Sequence, residues 1–265
     1  MEIGGRRTLL TGASGGIGEA IAHALHERGA SLVLSGRRTE ALERLANELG
    51  ERVEIVPADL STAEGVETLL GEVSDADILV ANAALPAAGR LDDFSPGEID
   101  RALDVNLRAP IQLARELQPR MTERGSGHLV FISSMSGKIA TGGGSVYSAT
   151  KFGLRGFASG LRDELRGSGV GVTVVFPGFI REAGMFADAR VKLPPFMPTR
   201  SPKQVADAVV RGIERDRGEI DVAPLQMRAS AWLAGIAPGP VAAVARRLDN
   251  TGVADQLAER QRVKR

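Results

Sequence analysis

Short runs of Val, Ile and Leu alternate along the chain with longer stretches in which apolar residues recur every three or four positions. The short runs predict strands, and the longer amphipathic stretches predict helices. Strands are expected at 8–11, 31–35, 53–57, 77–81, 128–133 and 170–176, with an edge strand at 219–222. Helices are expected at 17–28, 40–49, 63–73, 146–166 and 201–215, and helical patterns also fill 95–124.

Most of the predicted strands contain continuous runs of Val, Ile and Leu, which are typical of strands that are buried on both faces. Their alternation with helices predicts an α/β fold, a Rossmann-like doubly wound parallel sheet with helices on both faces. Residues 1–225 are expected to form this domain, and 226–265 a C-terminal helical extension. The extension contains Trp232 and ends in a predicted charged helix at 255–265. We interpret it as packing against its own domain; an oligomer contact and an amphipathic surface helix are the alternatives.

The composition excludes several classes of function. Without cysteine, the chain has no disulfide framework, thiolate metal site or cysteine nucleophile. His23, His26 and His128 lack metal-ligand spacing, so no metal is expected. The 33 basic residues balance 33 acidic ones, which argues against nucleic acid as a partner. No apolar run approaches ~18 residues, and the N-terminus is too short and polar for a signal peptide. We therefore expect a cytoplasmic protein without a membrane span.

A glycine-rich loop lies between the first predicted strand and the first predicted helix. It reads Thr11-Gly12-Ala13-Ser14-Gly15-Gly16-Ile17-Gly18. Glycines let the backbone approach a pyrophosphate closely, and the helix N-terminus offers free N–H groups to phosphates. Its position between a strand and a helix predicts a dinucleotide site. The alternative is a turn that needs glycine but binds nothing.

The end of the second predicted strand indicates which dinucleotide is preferred. Sites that prefer NAD often carry an acidic residue there, which binds the ribose 2′-hydroxyl. Here Ser35-Gly36 takes that place, and Arg37 and Arg38 follow. A guanidinium pairs well with a 2′-phosphate. The sequence therefore favours NADP(H) over NAD(H), although two ordinary surface arginines remain an alternative.

Three residues between 134 and 151 have the chemistry that accompanies hydride transfer. Tyr147 and Lys151 are four residues apart and share one helix face, and Ser134 ends a predicted strand. A carbonyl that accepts hydride also needs a proton donor, and the reverse reaction needs a base. Tyrosine has a pKa of ~10, so a nearby ammonium that stabilises the phenolate is expected to lower that value. A serine hydroxyl can hold the substrate oxygen.

These motifs occur in an order and spacing that resemble the short-chain dehydrogenase/reductase family over residues 5–225. The matching pieces are the glycine loop at 11–18, Asp59, Asn82-Ala83, Asn106, Ser134, Tyr147-x-x-x-Lys151 and Pro177-Gly178. The resemblance implies that Tyr147 is the general acid/base and that Lys151 holds the nicotinamide ribose. Ser134 would then orient the substrate, and Asn106 would position a water of a proton relay.

The resemblance also implies further contacts with the cofactor. Asp59 would lie against the adenine, Asn82 beside the adenosine ribose, and Ile180 would offer its backbone to the carboxamide. The remaining implied cofactor contacts are Leu60, Ala83, Pro177 and Gly178. Alternatively, Asp59 caps the following helix, and Asn82 and Asn106 are turn or helix-bulge residues.

The sequence departs from the family pattern at several positions. Ala81 and Ala84 replace the usual Asn and Gly around Asn82, and Ala84 is expected to narrow the backbone approach to the cofactor. Glu182 stands where the family often has a Thr, so Arg181 is an alternative phosphate contact.

The segment 183–200 resembles the family's variable substrate lid. Its apolar residues are Met185, Phe186, Leu193, Phe196 and Met197. They favour a hydrophobic ketone, aldehyde or secondary alcohol as the small-molecule substrate, unless they merely pack the lid onto the sheet. The resemblance implies a homodimer or homotetramer through 95–124 and 146–166. The sequence leaves the physiological substrate and reaction direction open. A non-catalytic NADP(H)-binding sensor or scaffold, and a nucleotide or methyl-donor enzyme, are the rival functions.

Overall fold

The protein is described by a computed structural model that covers residues 1–184, 198–241, 243, 259 and 260. All statements about structure refer to these residues. The predicted lid residues at 185–197 lie outside them, as does the predicted charged helix at 255–265 apart from 259 and 260.

Seven strands and eight α-helices make up the described chain. The strands are β1 (Arg7–Thr11), β2 (Ser31–Gly36), β3 (Val53–Pro57), β4 (Ile78–Ala81), β5 (Gly127–Ile132), β6 (Val170–Pro177) and β7 (Glu219–Val222). The helices are α1 (Gly16–His26), α2 (Thr39–Leu49), α3 (Ala63–Val73), α4 (Pro96–Leu103), α5 (Ala109–Glu123), α6 (Ser145–Glu164), α7 (Pro202–Arg215) and α8 (Leu225–Ile236).

The strands form one parallel sheet in the order β3-β2-β1-β4-β5-β6-β7. The chain builds outward from β1 to β3 and then returns to place β4 on the other side of β1. The connections that follow β1 and β4 therefore lead to helices on opposite faces of the sheet. Folds of this kind bind ligands in the crevice between such connections, at the carboxyl edge of the sheet. The predicted Rossmann-like fold is confirmed, with every strand within one residue of its expected bounds.

Helices cover both faces of the sheet. One apolar core lies between the sheet and α1, α2 and α7, and it includes Ile21, Leu42 and Val209. The other core lies between the opposite face and α3, α5 and α6, and it includes Leu69 and Leu117. Burial of the strands on both faces explains their continuous runs of Val, Ile and Leu.

The helical pattern at 95–124 is divided in the structure. A π-helical segment, Asp104–Arg108, joins α4 to α5. A π turn holds one more residue than an α turn, and such segments are frequent at functional sites. Asn106 lies in this segment and is buried. The apolar pattern predicted helix throughout 95–124 and did not show this segment, although a helix bulge was one alternative for Asn106.

The extension begins with α8, which packs through only part of its surface. Ala231 is buried, and Met227 packs against the core beneath α6. Trp232 and several other apolar residues of α8 are exposed. The interpretation that the extension packs against its own domain therefore describes one side of α8 only. Among the described helices, none is long and apolar enough to cross a membrane.

A buried histidine lies at the end of the sheet opposite the crevice. His128, at the start of β5, is 2% exposed, and its Nε2 lies 2.8 Å from Oγ1 of Thr173. Because the Thr173 hydroxyl donates to the carbonyl of Arg217 (2.7 Å), Nε2 is assigned as the donor to Thr173. Burial lowers the pKa of His128 to about 4, although the nearby Asp216 carboxylate opposes that shift.

We predict that His128 makes the fold less stable in mild acid. The unfolded histidine binds a proton below pH ~6.5, whereas the folded one stays neutral down to about 4. The stability that neutral His128 contributes to the fold is therefore fully present above the pKa of the unfolded histidine, and it is lost as the pH falls below that value toward about 4. Between pH 7 and pH 5 this loss amounts to about 2 kcal/mol. Urea denaturation at the two pH values should show that His128→Gln, which keeps a donor, loses less stability than the wild type. An equal loss in both proteins would contradict the assignment.

Candidate active site

The ends of three neighbouring strands bring the predicted site residues together. The glycine loop follows β1, Asn82 follows β4, and Ser134 follows β5 by two residues. Because these strands are adjacent and parallel, their carboxyl ends meet at one edge of the sheet. This edge is the crevice identified from the strand order.

The glycines of the loop are required by close backbone contacts. Gly12 has φ of 66°, and a Cβ there would lie 2.7 Å from the Cα of Ala83. A Cβ on Gly18 would lie 2.3 Å from the carbonyl oxygen of Gly12. Neither position can accept a side chain, because both distances are far below van der Waals contact. The loop is therefore folded tightly on itself and against the residues that follow β4.

Thr11 joins the glycine loop to β4, a role that the sequence analysis missed. Its Oγ1 accepts hydrogen bonds from the backbone N–H groups of Asn82 and Ala83, both at 3.1 Å. The Nδ2 of Asn82 returns two bonds, to the carbonyls of Thr11 and Gly12, each at 3.1 Å. Asn82 thus shapes the loop with its side chain. A hydroxyl residue directly ahead of the first glycine was the available signal for Thr11.

The N-terminus of α1 faces the crevice with its first amides. The first backbone bond of the helix runs from Glu19 N–H to the Gly15 carbonyl at 2.8 Å. The N–H groups of Gly16, Ile17 and Gly18 precede that bond, so no carbonyl of the helix can accept from them. Such groups suit the phosphates of a dinucleotide. The Oγ of Ser35, at the end of β2, is buried without a hydrogen-bond partner, which further fits a polar ligand beside the loop.

The two arginines after β2 have different environments. Arg38 donates from Nη2 to the carbonyl of Ser14, and it therefore supports the glycine loop. Arg37 is exposed, and its charge acts on Asp59. A Cβ on Gly36 would lie 3.1 Å from the Ser14 Oγ, so Ser14 faces the end of β2. The structure thus leaves Arg37 as the better placed of the two for a 2′-phosphate.

Asp59 lies at the end of the adjacent strand and is held by a local turn. Its Oδ1 accepts from the N–H (3.0 Å) and the hydroxyl (2.8 Å) of Ser61. Burial raises the carboxyl pKa, but the Ser61 hydrogen bonds and the charge of Arg37 outweigh it, and the net pKa is lowered. The N-cap of α3 is Thr62, whose hydroxyl accepts from Gly65 at 3.0 Å, so the alternative of Asp59 as a helix cap is wrong. Leu60 is buried in the core.

The segment after β6 extends to the glycine loop. Ile180 is buried and pairs with Arg200, so the chain is fixed where it enters and leaves the lid region. Farther along, a Cβ on Gly16 would lie 2.5 Å from the Cβ of Ala183. Arg181 donates to the Glu182 carboxylate at 2.8 Å, and Glu182 has an unusual φ of 73°. Arg181, which the sequence offered as a phosphate contact, is thus paired with its neighbour.

Pro177 and Gly178 close the other side of the crevice. Pro177 is the last residue of β6, and the N–H of Gly178 donates to the Val222 carbonyl at 3.0 Å. A Cβ on Gly178 would lie 3.0 Å from the Sδ of Met227. Helix α8 therefore borders the predicted cofactor site.

The predicted catalytic residues lie together on α6 and after β5. The Tyr147 phenol lies close enough to the Ser134 side chain for the two to interact. The Oγ of Ser134 accepts from the N–H of Ser136 at 3.1 Å. Lys151 is 1% exposed, and its Nζ donates to the Ile132 carbonyl at 3.0 Å. The same Nζ lies 5.6 Å from the centroid of the Tyr147 ring. The spacing in the sequence therefore brings a phenol, a hydroxyl and an ammonium to one place.

Burial shifts the pKa values of the phenol and the ammonium in opposite directions. It raises the pKa of Tyr147 to about 12, although the hydrogen bond with Ser134 opposes the shift. It lowers the pKa of Lys151 to about 8. The expectation that Lys151 lowers the Tyr147 pKa is not met in the folded chain by itself, because Nζ is directed to Ile132 and lies beside the ring. At neutral pH the phenol carries its proton.

The side-chain amide of Asn106 is hydrogen-bonded to the backbone of a neighbouring loop. Its Oδ1 accepts from Leu85 N–H at 2.6 Å, and its Nδ2 donates to the Leu85 carbonyl at 2.9 Å. The side chain holds the loop after β4 against the π-helical segment. Each end of the amide makes one of its two possible hydrogen bonds in this way, and the role of Asn106 in a proton relay stays a prediction. The helix-bulge alternative thus describes its location.

Ser133 fixes the position of Lys151 and was missed by the sequence analysis. Its buried hydroxyl donates to the Lys151 carbonyl at 3.1 Å. A Cβ on Gly137 would lie 2.6 Å from that carbonyl oxygen, so the turn after Ser134 packs directly on the Lys151 backbone. The hydrogen bond is made between distant parts of the chain, and no local motif announces it. Within the described part of the chain, no group of His, Asp and Glu residues could hold a metal ion.

Comparison with known proteins identifies the family of the chain. The sequence model of the short chain dehydrogenase family matches residues 6–193. Ketoacyl reductase HetN of Nostoc sp. is 37% identical over 225 residues, which cover 82% of this chain and 78% of HetN. Nodulation protein G of Rhizobium sp. is 43% identical over 187 residues, 69% of this chain and 76% of that protein. The chain belongs to the short-chain dehydrogenase/reductase family of oxidoreductases.

Solved structures of the family have the same fold. A short-chain dehydrogenase from Sphingobium yanoikuyae in complex with NADPH is 30% identical, with a TM-score of 0.78 over 89% of this chain and 94% of its own. A serine dehydrogenase complexed with NADP+ is 29% identical, with a TM-score of 0.75 over 83% of this chain and 95% of its own. Two proteins of this fold are therefore described in complex with NADP+ or NADPH.

We predict that Thr11→Val loosens the cofactor loop. Valine has nearly the same shape but cannot accept hydrogen bonds from Asn82 and Ala83, so two N–H groups lose their partner. The expected cost is about 1–2 kcal/mol of unfolding free energy and roughly tenfold weaker NADPH binding. Chemical denaturation and a fluorescence titration with NADPH measure these quantities. Thr11→Ser keeps the hydroxyl and should retain both properties; the same loss in Ser and Val variants would rule out the hydrogen bonds as the cause.

Proposed function

We propose that the protein is an NADP(H)-dependent oxidoreductase that interconverts a ketone or aldehyde with a secondary or primary alcohol. The observation that carries this proposal is the placement of Tyr147, Ser134 and Lys151 at the same sheet edge as the glycine loop. Tyr147 and Ser134 interact through their side chains, and we expect the carbonyl oxygen of the substrate to bind both hydroxyls. When bound, the nicotinamide supplies or accepts the hydride.

The side chains of this protein then handle the proton and the substrate oxygen. Tyr147, protonated at neutral pH, donates its proton to the oxygen on which negative charge develops during reduction. The Ser134 hydroxyl holds that oxygen in place. Lys151 is a buried cation that moves little, because its carbonyl and its ammonium are both hydrogen-bonded. It is the group expected to hold the nicotinamide ribose and to stabilise the phenolate formed after proton transfer.

NADP(H) is proposed as the preferred cofactor because of the charges after β2. Ser35 and Gly36 take the place where sites that prefer NAD often have an acidic residue. Arg37, directly after them, is exposed. Arg38 stiffens the loop through Ser14, so its loss should affect any dinucleotide. NADP(H)-bound structures of similar proteins support this preference.

A hydrophobic carbonyl or alcohol is proposed as the substrate class. The loop between the 3₁₀ turn after Ser134 and the start of α6, residues 139–144, contains no charged side chain and ends in three glycines. A Cβ on Gly142 would meet nothing within 4 Å, so this loop leaves open space. The Tyr147 ring packs against an apolar cluster that contains Phe94 and Val146. The similarity to a ketoacyl reductase agrees with a ketone substrate.

We predict that Tyr147→Phe abolishes turnover without loss of cofactor. The variant removes the donated proton but keeps the ring, so activity should fall by about 10²–10⁴-fold. Oxidation of NADPH with a panel of hydrophobic ketones measures turnover, and a fluorescence titration measures NADPH binding. Retained activity in Tyr147→Phe would refute the proton-transfer role. A wild-type protein that binds NADPH but turns over no member of the panel would favour the sensor alternative.

We predict that Arg37 selects NADPH over NADH. Arg37→Ala should weaken NADPH by about ten- to hundredfold, because a charge-assisted hydrogen bond to the 2′-phosphate is lost, and should leave NADH nearly unchanged. Arg38→Ala is the matched variant: because Arg38 supports the glycine loop, it should weaken both cofactors. Equal losses for NADPH and NADH in Arg37→Ala would refute the phosphate contact. Titrations of both cofactors with the three proteins decide between these outcomes.

A further inference from the structure

Helix α8 presents an apolar stripe to solvent. Of the six large apolar side chains exposed in the described residues, four belong to α8: Leu225 (72%), Trp232 (68%), Ile236 (65%) and Leu233 (48%). At about 100° per residue, Leu225, Trp232 and Ile236 fall within about 40° of one another. The packed residues Met227 and Ala231 lie on the opposite side. The exposed stripe is therefore one face of the helix rather than a scatter of single residues.

The charged residues of α8 do not interrupt this stripe. Arg228 is the only charged residue between 225 and 236, and it is paired with Asp221 of β7 at 3.6 Å. Monomeric soluble proteins seldom expose contiguous apolar patches of this kind without using them. Trp is frequent where a protein meets a membrane–water interface, because the indole combines an apolar body with a polar N–H group.

The charge of the chain is unevenly distributed along the sequence. Overall the basic and acidic residues balance, but residues 225–265 contain seven basic and three acidic residues. This part therefore carries a net charge of +4, and residues 1–224 carry −4. Clusters of Lys and Arg near an amphipathic helix attract anionic lipids. The balanced total, which argued against anionic partners, conceals a basic region that begins at the apolar stripe.

Helix α8 also contacts the candidate active site. These contacts are made by the packed side of α8, where Met227 contacts Gly178 and the helix contacts the Met135–Gly137 turn that follows Ser134. A surface bound to the exposed stripe would therefore lie one helix away from these residues.

We propose that the exposed face of α8 docks the protein on the surface of an anionic phospholipid membrane, with the basic C-terminal residues adding electrostatic attraction. The helix lies in the interface with Leu225, Trp232 and Ile236 inserted among the lipids. The net charge of +4 in residues 225–265 favours this partner over a second copy of the chain, because a second copy carries the same charge. Docking in this way does not require a membrane-spanning helix.

The chain carries its own probe for this proposal, since Trp232 is its only tryptophan. The full-length protein is titrated with vesicles of phosphatidylcholine, with and without phosphatidylglycerol. We expect Trp232 emission to shift to shorter wavelength, and to be quenched by brominated lipid, with the anionic vesicles at low salt. Raising the ionic strength should weaken this binding. Equal binding to pure phosphatidylcholine, or no shift with anionic vesicles, would overturn the proposal.

Two variants test whether vesicle binding depends on the α8 stripe or on exposed apolar residues in general. Leu225→Gln with Ile236→Gln keeps Trp232 as the probe and should reduce vesicle partitioning on the order of a hundredfold. Leu91→Gln, which alters an exposed leucine on the 3₁₀ turn Leu91–Asp93, should bind like the wild type. Unchanged partitioning of the double variant would overturn the proposal. So would a dimer of the wild type, found by light scattering without vesicles, that the double variant dissociates, because the stripe would then be covered by a second copy.

Discussion

A fully buried ammonium, that of Lys151, sets the strictest requirement on this structure. Burying a cation is costly, and the Lys151 pKa falls to about 8 because of burial alone. The carbonyl of Ile132 offers partial compensation. The end of β5 and the middle of α6 must therefore keep a fixed distance. The Ser133 hydroxyl and the absence of a side chain at Gly137 enforce that distance from the backbone side. The other residues of the candidate site lie around this contact between the end of β5 and α6.

The same burial determines which proton the site holds. It acts on Tyr147 and Lys151 together, raises the pKa of the phenol and lowers that of the ammonium. The folded chain thus keeps the phenol protonated, which is the form that can donate to a carbonyl oxygen. Pairs of titratable groups whose pKa values are driven apart by their surroundings are a mark of acid–base sites. The phenolate needed for the reverse reaction requires additional positive charge, which the oxidised nicotinamide carries.

The sequence predicted those features that depend on local pattern. Strands such as β2 and β4 lie within one residue of their expected bounds because their buried positions form a continuous apolar run. The phenol and ammonium are adjacent because a spacing of four residues places them on one helix face. Contacts between distant segments were not predictable: the hydrogen bonds of Thr11 and Ser133 depend on how strands and helices meet. The raised Tyr147 pKa of the chain by itself was not predictable either, because sequence spacing shows proximity but not the extent of burial.

The apolar pattern of the C-terminal extension does not show which of its residues pack on the domain. Residues 225–236 contain apolar positions on two opposite faces, so their pattern has no clear polar side, and three interpretations remained open. The structure divides these positions, since Ala231 and Met227 pack on the domain while Trp232 and Ile236 face outward. Each large apolar side chain left in water forgoes about 1.5–3 kcal/mol of burial energy. A helix that leaves such side chains exposed on the side facing away from the domain, with a net positive charge in the sequence from residue 225 onward, has the physical character of a docking element rather than of a cap.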